Sequence, residues 1–190
     1  MKKTVLLLIV LVFALSVSAQ ENRHRFDFKI GTGLGFMGSG DLPALCFENE
    51  LNYKLNSYLS TSLSLGIGRT PKDIYTHNDY LLGSLNLFIS PFKNTGRNNF
   101  KIGGGFTLIN ETSLYDPNVY YDRNNRDFNE GAYNNGFDYL TRMVNGFSVM
   151  LEDEYMINSK FLVGGKLFVT GGEKEGGVVS GAMIKLGIVL

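Results

Sequence analysis

Residues 178–190 read VVSGAMIKLGIVL, and the parity of this stretch decides the fold. Val178, Ala182, Ile184, Leu186, Ile188 and Leu190 share one parity. Gly181, Lys185 and Gly187 fall on the other, beside Val179, Met183 and Val189. A period of two carried over the whole stretch is a β-strand with one fully apolar face.

The same alternation recurs upstream. His24–Met37 places Phe26, Phe28, Ile30, Thr32, Leu34 and Phe36 opposite Asp27, Lys29 and three glycines. Ala44–Tyr53 and Tyr58–Arg69 follow, separated by a tight turn at 54–57. A loop at 70–79 precedes Tyr80–Ser90, and the polar 91–99 leads to Phe100–Asn110. A stretch dense in Asn, Asp and Tyr, 111–139, separates this strand from one running from about Thr141 to Met156. Ile157-Asn158-Ser159 turns the chain into Lys160–Thr170, and 171–177 returns it to the final strand. Eight strands result. The short turns 54–57, 91–99 and 157–159 alternate with the longer 70–79 and 111–139, as in an up-and-down barrel, although the first and seventh connections are short too. The pairs Asn56-Ser57 and Asn158-Ser159 form a weak internal echo.

The first twenty residues, MKKTVLLLIVLVFALSVSAQ, have a basic start, an apolar run and a small-residue end at Val17-Ser18-Ala19. They read as a cleaved secretion signal, 1–19, preceding one domain at 20–190. No Cys stands directly after the cleavage site, which argues against a lipoprotein anchor. Charge is balanced, with 18 Lys and Arg against 18 Asp and Glu, so nothing suggests a nucleic-acid partner. Glycine is abundant at 23 residues, Phe and Tyr number 14 and 10, and Pro only 4, a mixture suited to strands and turns. Cys46 is the one cysteine, so no intrachain disulfide is possible.

Alternation does not by itself say whether the apolar face meets lipid or an interior, since a soluble ligand-carrying barrel alternates too. The opposite face decides it. That face carries Gly31, Gly33 and Gly35, then Ser60, Ser62 and Ser64, then Gly103 and Gly105, then Gly146 and Ser148. Such small residues suit a crowded lumen, and the Leu, Ile and Phe of the other face exceed what an eight-stranded interior holds. Lipid is therefore the partner of the apolar face, and backbone satisfaction in lipid requires closure. Phe26, Tyr53, Tyr58, Phe92, Phe100, Tyr155 and Phe161 near the strand ends fit an interfacial girdle. The predicted fold is all-β: a closed, antiparallel, up-and-down, eight-stranded transmembrane β-barrel.

With its secretion signal, eight alternating strands and apolar final strand, the chain resembles the small eight-stranded outer-membrane barrels of the OmpA and OmpX kind. The resemblance covers the whole chain after the signal and rests on no catalytic motif. It implies a monomer in the outer membrane of a Gram-negative bacterium, surrounded by lipid and lipopolysaccharide, with both ends in the periplasm. It also implies assembly by the barrel-assembly machinery through the last strand. The family usually ends on an aromatic residue, whereas this chain ends on Leu190.

Among candidate functional residues, Lys29, Glu48, Glu50, Lys101, Glu152, Glu154, Lys166 and Lys185 share the lumenal face near one end. They should pair, because an unpaired charge in a narrow lumen is costly. The expectation is a salt-bridge plug, with a gate for ions or small solutes as the sharper alternative. In the 111–139 stretch, Tyr115, Tyr120, Tyr121, Phe128 and Tyr133 lie among Asn and Asp, a composition suited to a protein or glycan partner. Asp122, Asn124 and Glu130 lack the glycine and terminal Glu spacing of a calcium loop. Lipid A-modifying barrels need a His, a Ser and an acid near the outer rim. Only His24 and His77 are present, and His77-Asn78-Asp79 with Ser84 carries no family motif. Cys46 reads as a small buried residue. Asn110-Glu111-Thr112 matches a glycosylation triplet that is frequent by chance. The expected role is structural or interactive, without enzymatic activity, cofactor or metal.

Overall fold

The computed structural model describes residues 25–38, 42–71, 78–93, 96–115, 138–172 and 178–190. The expected signal at 1–19, both histidines, and Tyr120, Tyr121, Phe128 and Tyr133 lie outside the described residues. Eight strands are present: β1 (Phe26–Gly38), β2 (Leu42–Lys54), β3 (Leu59–Arg69), β4 (Asn78–Ile89), β5 (Asn98–Tyr115), β6 (Asp138–Met156), β7 (Phe161–Gly172) and β8 (Val178–Val189). Each pairs antiparallel with its neighbours in sequence, and β8 pairs with β1 to close the barrel. The seam runs from Asp27↔Val189 to Gly38↔Val178 and is extended by the Leu190 amide donating to the Phe26 carbonyl at 2.9 Å.

The register sets the size of the barrel. From Ile30, paired residues lead through Asn49, Leu65, Gly83 and Leu108 to Asn145 on β6. In the other direction they lead through Leu186 and Val163 to Tyr155, ten residues further along β6. With that stagger, eight strands at ~3.3 Å per residue and ~4.8 Å apart tilt by about 40° and enclose a backbone radius of roughly 8 Å. Side chains alone can fill such a lumen. The eleven residues of β3, so tilted, rise roughly 28 Å, close to the ~25 Å apolar band of outer-membrane barrels.

The outward parity is that read from the sequence. Leu34, Leu65, Leu85, Val149, Ile184 and Leu186 are each at least 60% exposed, and apolar side chains of this kind encircle the outer wall. A continuous apolar belt of this extent belongs in hydrocarbon rather than water. The turns after β2, β4 and β6 lie at the end that also carries Arg25 and Leu190, the terminal end; the opposite one is the loop end. Asn56 and Asn158 build the same turn twice. Each side-chain oxygen accepts from the amides two and three residues on, at 2.7–2.9 Å. The internal echo is thus local turn chemistry.

The hairpin of β5 and β6 is longer than the alternation predicts. Pairing continues past Asn110 to Tyr115↔Asp138, so residues 111–115 and 138–139 of the stretch expected to be irregular are paired strand, while 116–137 lies outside the described residues. The first two added rungs are polar, Glu111↔Arg142 and Thr112↔Thr141, and interrupt the apolar alternation that marks a membrane strand. Arg142 grips Glu111 at 3.0 and 3.1 Å, and the two threonine hydroxyls meet at 3.2 Å.

Close approach at the seam requires glycine at position 33. A Cβ there would lie 1.9 Å from the Ala182 carbonyl oxygen and 2.6 Å from the Met183 Cα. These are backbone atoms of β8 and cannot swing aside. Gly33→Val is expected to cost roughly 1–3 kcal/mol through overpacking. The check is a lowered urea midpoint for the barrel folded in lipid vesicles.

Candidate functional site: a filled lumen and a projecting hairpin

Inward-facing positions of β1, β2, β5, β6, β7 and β8 bring all eight charged residues together. Lys29 Nζ lies 2.7 Å from Glu50 and 3.4 Å from Glu152, and also pairs with Glu154. Lys101 binds Glu154 at 2.6 Å and Glu152 at 3.3 Å. Lys166 chelates Glu48 at 2.7 and 2.8 Å. Lys185 sits at 2.8, 2.7 and 2.6 Å from Glu48, Glu50 and Glu152. Every one of these residues is at most 6% exposed. Acids and ammonium groups alternate, so each charge is surrounded by opposite ones, the arrangement that makes burial tolerable.

Asp27 is a ninth member that the charge pattern alone did not single out. It lies 3.5 Å from Lys29 and accepts from the Asn52 amide at 2.9 Å. Its parity is that of Lys29, two residues on, which was the available signal. Phe88 and Phe168 stand beside the cluster, their ring centroids 5.1 Å from Lys101 Nζ and 5.9 Å from Lys166 Nζ.

Glu48, Glu50 and Glu152 offer carboxylate oxygens within 4.8 Å of one another, the spacing of a metal site. Lys185 Nζ is within hydrogen-bond distance of all three. The ammonium therefore holds the place a cation would take.

Beyond the charges the lumen is filled in two further ways. Asn86 donates to Ser62 at 3.2 Å, and Thr107 contacts Ser84 at 3.0 Å and Ser148 at 3.3 Å, forming a hydroxyl and amide belt. Towards the loop end the filling is apolar: Met37, Ala44, Leu82, Ile109, Val179 and Met183 are buried there. Sequence reading anticipated small and charged lumenal residues and overlooked this apolar layer. Cys46 belongs to it, fully buried, with the Tyr80 hydroxyl donating to its sulfur at 3.1 Å. A cavity of about 20 Å³ separates the charges from the apolar layer, bordered by Glu48, Lys166, Leu82, Met150 and Phe168. That is room for about one water.

Ser84, the serine considered for lipid A chemistry, is buried in the hydroxyl belt and pairs across the wall with Ser64 and Thr107. Asp79 forms a two-pronged pair with Arg69 at 3.0 and 3.1 Å on the outer wall. The serine and the acid thus sit on opposite faces of β4. Asn110, of the glycosylation triplet, is an exposed outward residue of β5.

A second feature is the height of the hairpin. The last described pair of β4 with β5 is Asn78↔Ser113, and that of β6 with β7 is Gly146↔Gly172. Among the described residues, 138–145 of β6 pair with β5 past that last β7 partner. Tyr115, one of the aromatic residues expected in a loop, is the last residue of β5 and pairs with Asp138.

No family model matches the chain, and no curated protein matches it in sequence. Solved structures match in fold. Neisserial surface protein A superimposes with a TM-score of 0.67 at 9% identity, covering 87% of this chain and 97% of that one. Ail, the attachment invasion locus protein of Yersinia pestis, gives 0.58 at 9% identity, covering 87% and 98%. The outer membrane protein OprG of Pseudomonas aeruginosa gives 0.54 at 14% identity, covering 87% and 96%. The chain shares the fold of these small outer-membrane β-barrels.

The buried pairs yield a stability test. Lys29→Met takes one ammonium partner from each of Glu50, Glu152 and Glu154 and leaves the buried cluster with an excess of acid, and about 3–5 kcal/mol of folding stability should be lost. In a double-mutant cycle with Glu154→Gln, the second change should cost less in the Lys29→Met background than alone, by about 0.5–3 kcal/mol. Urea unfolding in vesicles measures both; strictly additive losses would mean the two side chains do not interact.

Proposed function

We propose that this chain is a non-conducting outer-membrane barrel that anchors and presents the β5–β6 hairpin and its 116–137 connection to a partner outside the cell. The observation that supports the reading is the pairing of β5 with β6 as far as Tyr115↔Asp138, which among the described residues runs past the last partners of β6 on β7 and of β5 on β4. A rigid two-stranded stalk places the Tyr- and Asn-rich connection away from the lipid surface, where a protein or glycan can reach it. In this reading the terminal end faces the periplasm, the barrel is exported by its signal and inserted by the assembly machinery, and it acts as a monomer in contact with lipopolysaccharide. Ail, of the same fold, is described as an attachment and invasion protein. Adhesion is accordingly the class of role proposed here.

A gated channel for small solutes is the second reading, and the charged lumen is what favours it. Three successive fillings and a cavity the size of one water weigh against it. A lipid A-modifying enzyme is disfavoured by the burial of Ser84 and its separation from Asp79 by the barrel wall.

Two measurements decide. In planar bilayers the purified barrel should give no discrete conductance steps, and reproducible steps would favour the channel. Bacteria displaying the full chain should adhere to immobilised extracellular-matrix protein or glycan better than bacteria displaying a barrel in which a short Gly-Ser link replaces 116–137. Equal adherence by the two, with equal amounts of folded barrel at the surface, would remove the presentation role.

A further inference from the structure

The terminal end carries a charge pattern that neither the lumen nor the hairpin explains. At four places around the rim a girdle aromatic is followed or preceded directly by a base: Arg25-Phe26, Tyr53-Lys54, Phe92-Lys93 and Lys160-Phe161. Arg97 adds a fifth base between the second turn and β5. The turns 55–58, 90–97 and 157–160 contain no Asp or Glu. On the outer wall at this level stands one described acid, Asp153, between Phe100 of β5 and Gly165 of β7. Among the described residues, Lys54, Lys93, Arg97 and Lys160 make no ion pair. Arg25 donates to the Tyr53 hydroxyl at 3.3 Å, and Lys93 lies 5.7 Å from the centre of the Tyr58 ring.

The opposite end has the reverse balance. The sequence segments 39–41, 72–77, 116–137 and 173–177 hold eight Asp and Glu against four Lys and Arg. The chain is neutral overall, and its sequence divides the two signs unequally between the two sets of connections.

We propose that the terminal rim is a binding surface for the headgroups of anionic phospholipids. The aromatic girdle fixes the level of the membrane interface. Arg25, Lys54 and Lys160 stand next to their aromatics at the mouth of the barrel, Lys93 and Arg97 lie in the turn, and all five keep solvent access, so their long side chains can turn outward to the phosphate layer. Several bases spread round the circumference engage several lipids, so the surface selects a charged leaflet rather than one pocketed molecule. Zwitterionic headgroups satisfy the aromatics equally well but leave the bases without net counter-charge. The anionic class is therefore the occupant that the charge complementarity specifies. This inference rests on the membrane-spanning reading and adds the chemistry of the lipid and the end that holds it.

The test uses the full barrel folded into vesicles of phosphatidylcholine carrying a minor share of phosphatidylglycerol, followed by native mass spectrometry of retained lipids. The wild type should retain phosphatidylglycerol in preference to phosphatidylcholine, and added salt should erode the preference. Each base near an anionic surface contributes about fivefold. The variant combining Lys54→Gln, Lys93→Gln, Arg97→Gln and Lys160→Gln should lose the preference by about tenfold or more. Arg69→Gln, which changes a base at the loop end, should leave it intact. A preference that survives the four substitutions, resists salt, or disappears with Arg69→Gln would overturn the proposal. A heat-dependent gel shift reports insertion separately. Absence of insertion in every vesicle would bring down the membrane-spanning reading as well, whereas insertion without lipid preference would bring down this one alone.

Discussion

The rest of the molecule depends on one constraint: backbone amides and carbonyls in hydrocarbon must find their partners within the protein. Eight strands satisfy it by pairing β8 with β1 along the whole length of the shorter strand, so no edge is left within the lipid. The ten-residue stagger needed for that closure then fixes the radius. A small radius is why glycines stand at Gly33 and Gly105, where neighbouring backbone or the Asn86 side chain occupies the space of a Cβ. It is also why the interior is a solid packing of side chains. Closure, size and filling are one consequence carried through three steps.

Given that filling, the charged cluster has a physical account. A lumen of this width cannot be left polar and unpaired, nor hold much water. Long Lys and Glu side chains reach across it from β1, β2, β5, β6, β7 and β8, and pairs such as Lys29–Glu152, Lys166–Glu48 and Lys185–Glu50 tie strands that are not neighbours in the wall. Lys29 joins β1 to β2 and β6, and Lys185 joins β8 to β2 and β6. Such contacts resist ovalisation of the barrel, a deformation to which the hydrogen-bond ladder is soft. Apolar filling at the other end packs without directional bonds. The two ends of the lumen therefore differ in stiffness as well as in polarity.

Much of this was legible in the sequence. Period-two alternation marks which residues face lipid, and the parity of Lys29, Glu48, Glu50, Glu152 and Lys185 marks them as lumenal. Parity gives a face but not a height, so the partners across the lumen, and Asp27 among them, emerge only with the register. The apolar layer of Met37, Leu82, Ile109 and Met183 was hidden for a related reason. An apolar residue on the lumenal parity reads as an interruption of the pattern until the barrel brings several of them to one level. The extension of β5 and β6 was hidden because its rungs leave the membrane, where neither face need be apolar. For Tyr120, Tyr121, Phe128 and Tyr133, which lie outside the described residues, composition is the signal available.

Polarity along the barrel axis connects these features. A neutral chain could scatter its charges, yet the described ion pairs leave the lumen nearly balanced internally, with five acids and four ammonium groups held among themselves. The remaining charge is therefore free to differ between the two ends, basic in the terminal turns and acidic in the loop-end segments. Because the lumenal charges are neutralised by contact, they add little to the field outside, and each end presents its own sign to the medium it meets. An internal network that is nearly self-neutral is what allows the rims to be specialised independently. Under the presentation reading, that leaves the hairpin and its surroundings open to change in charge and composition without disturbing the pairs that hold the wall.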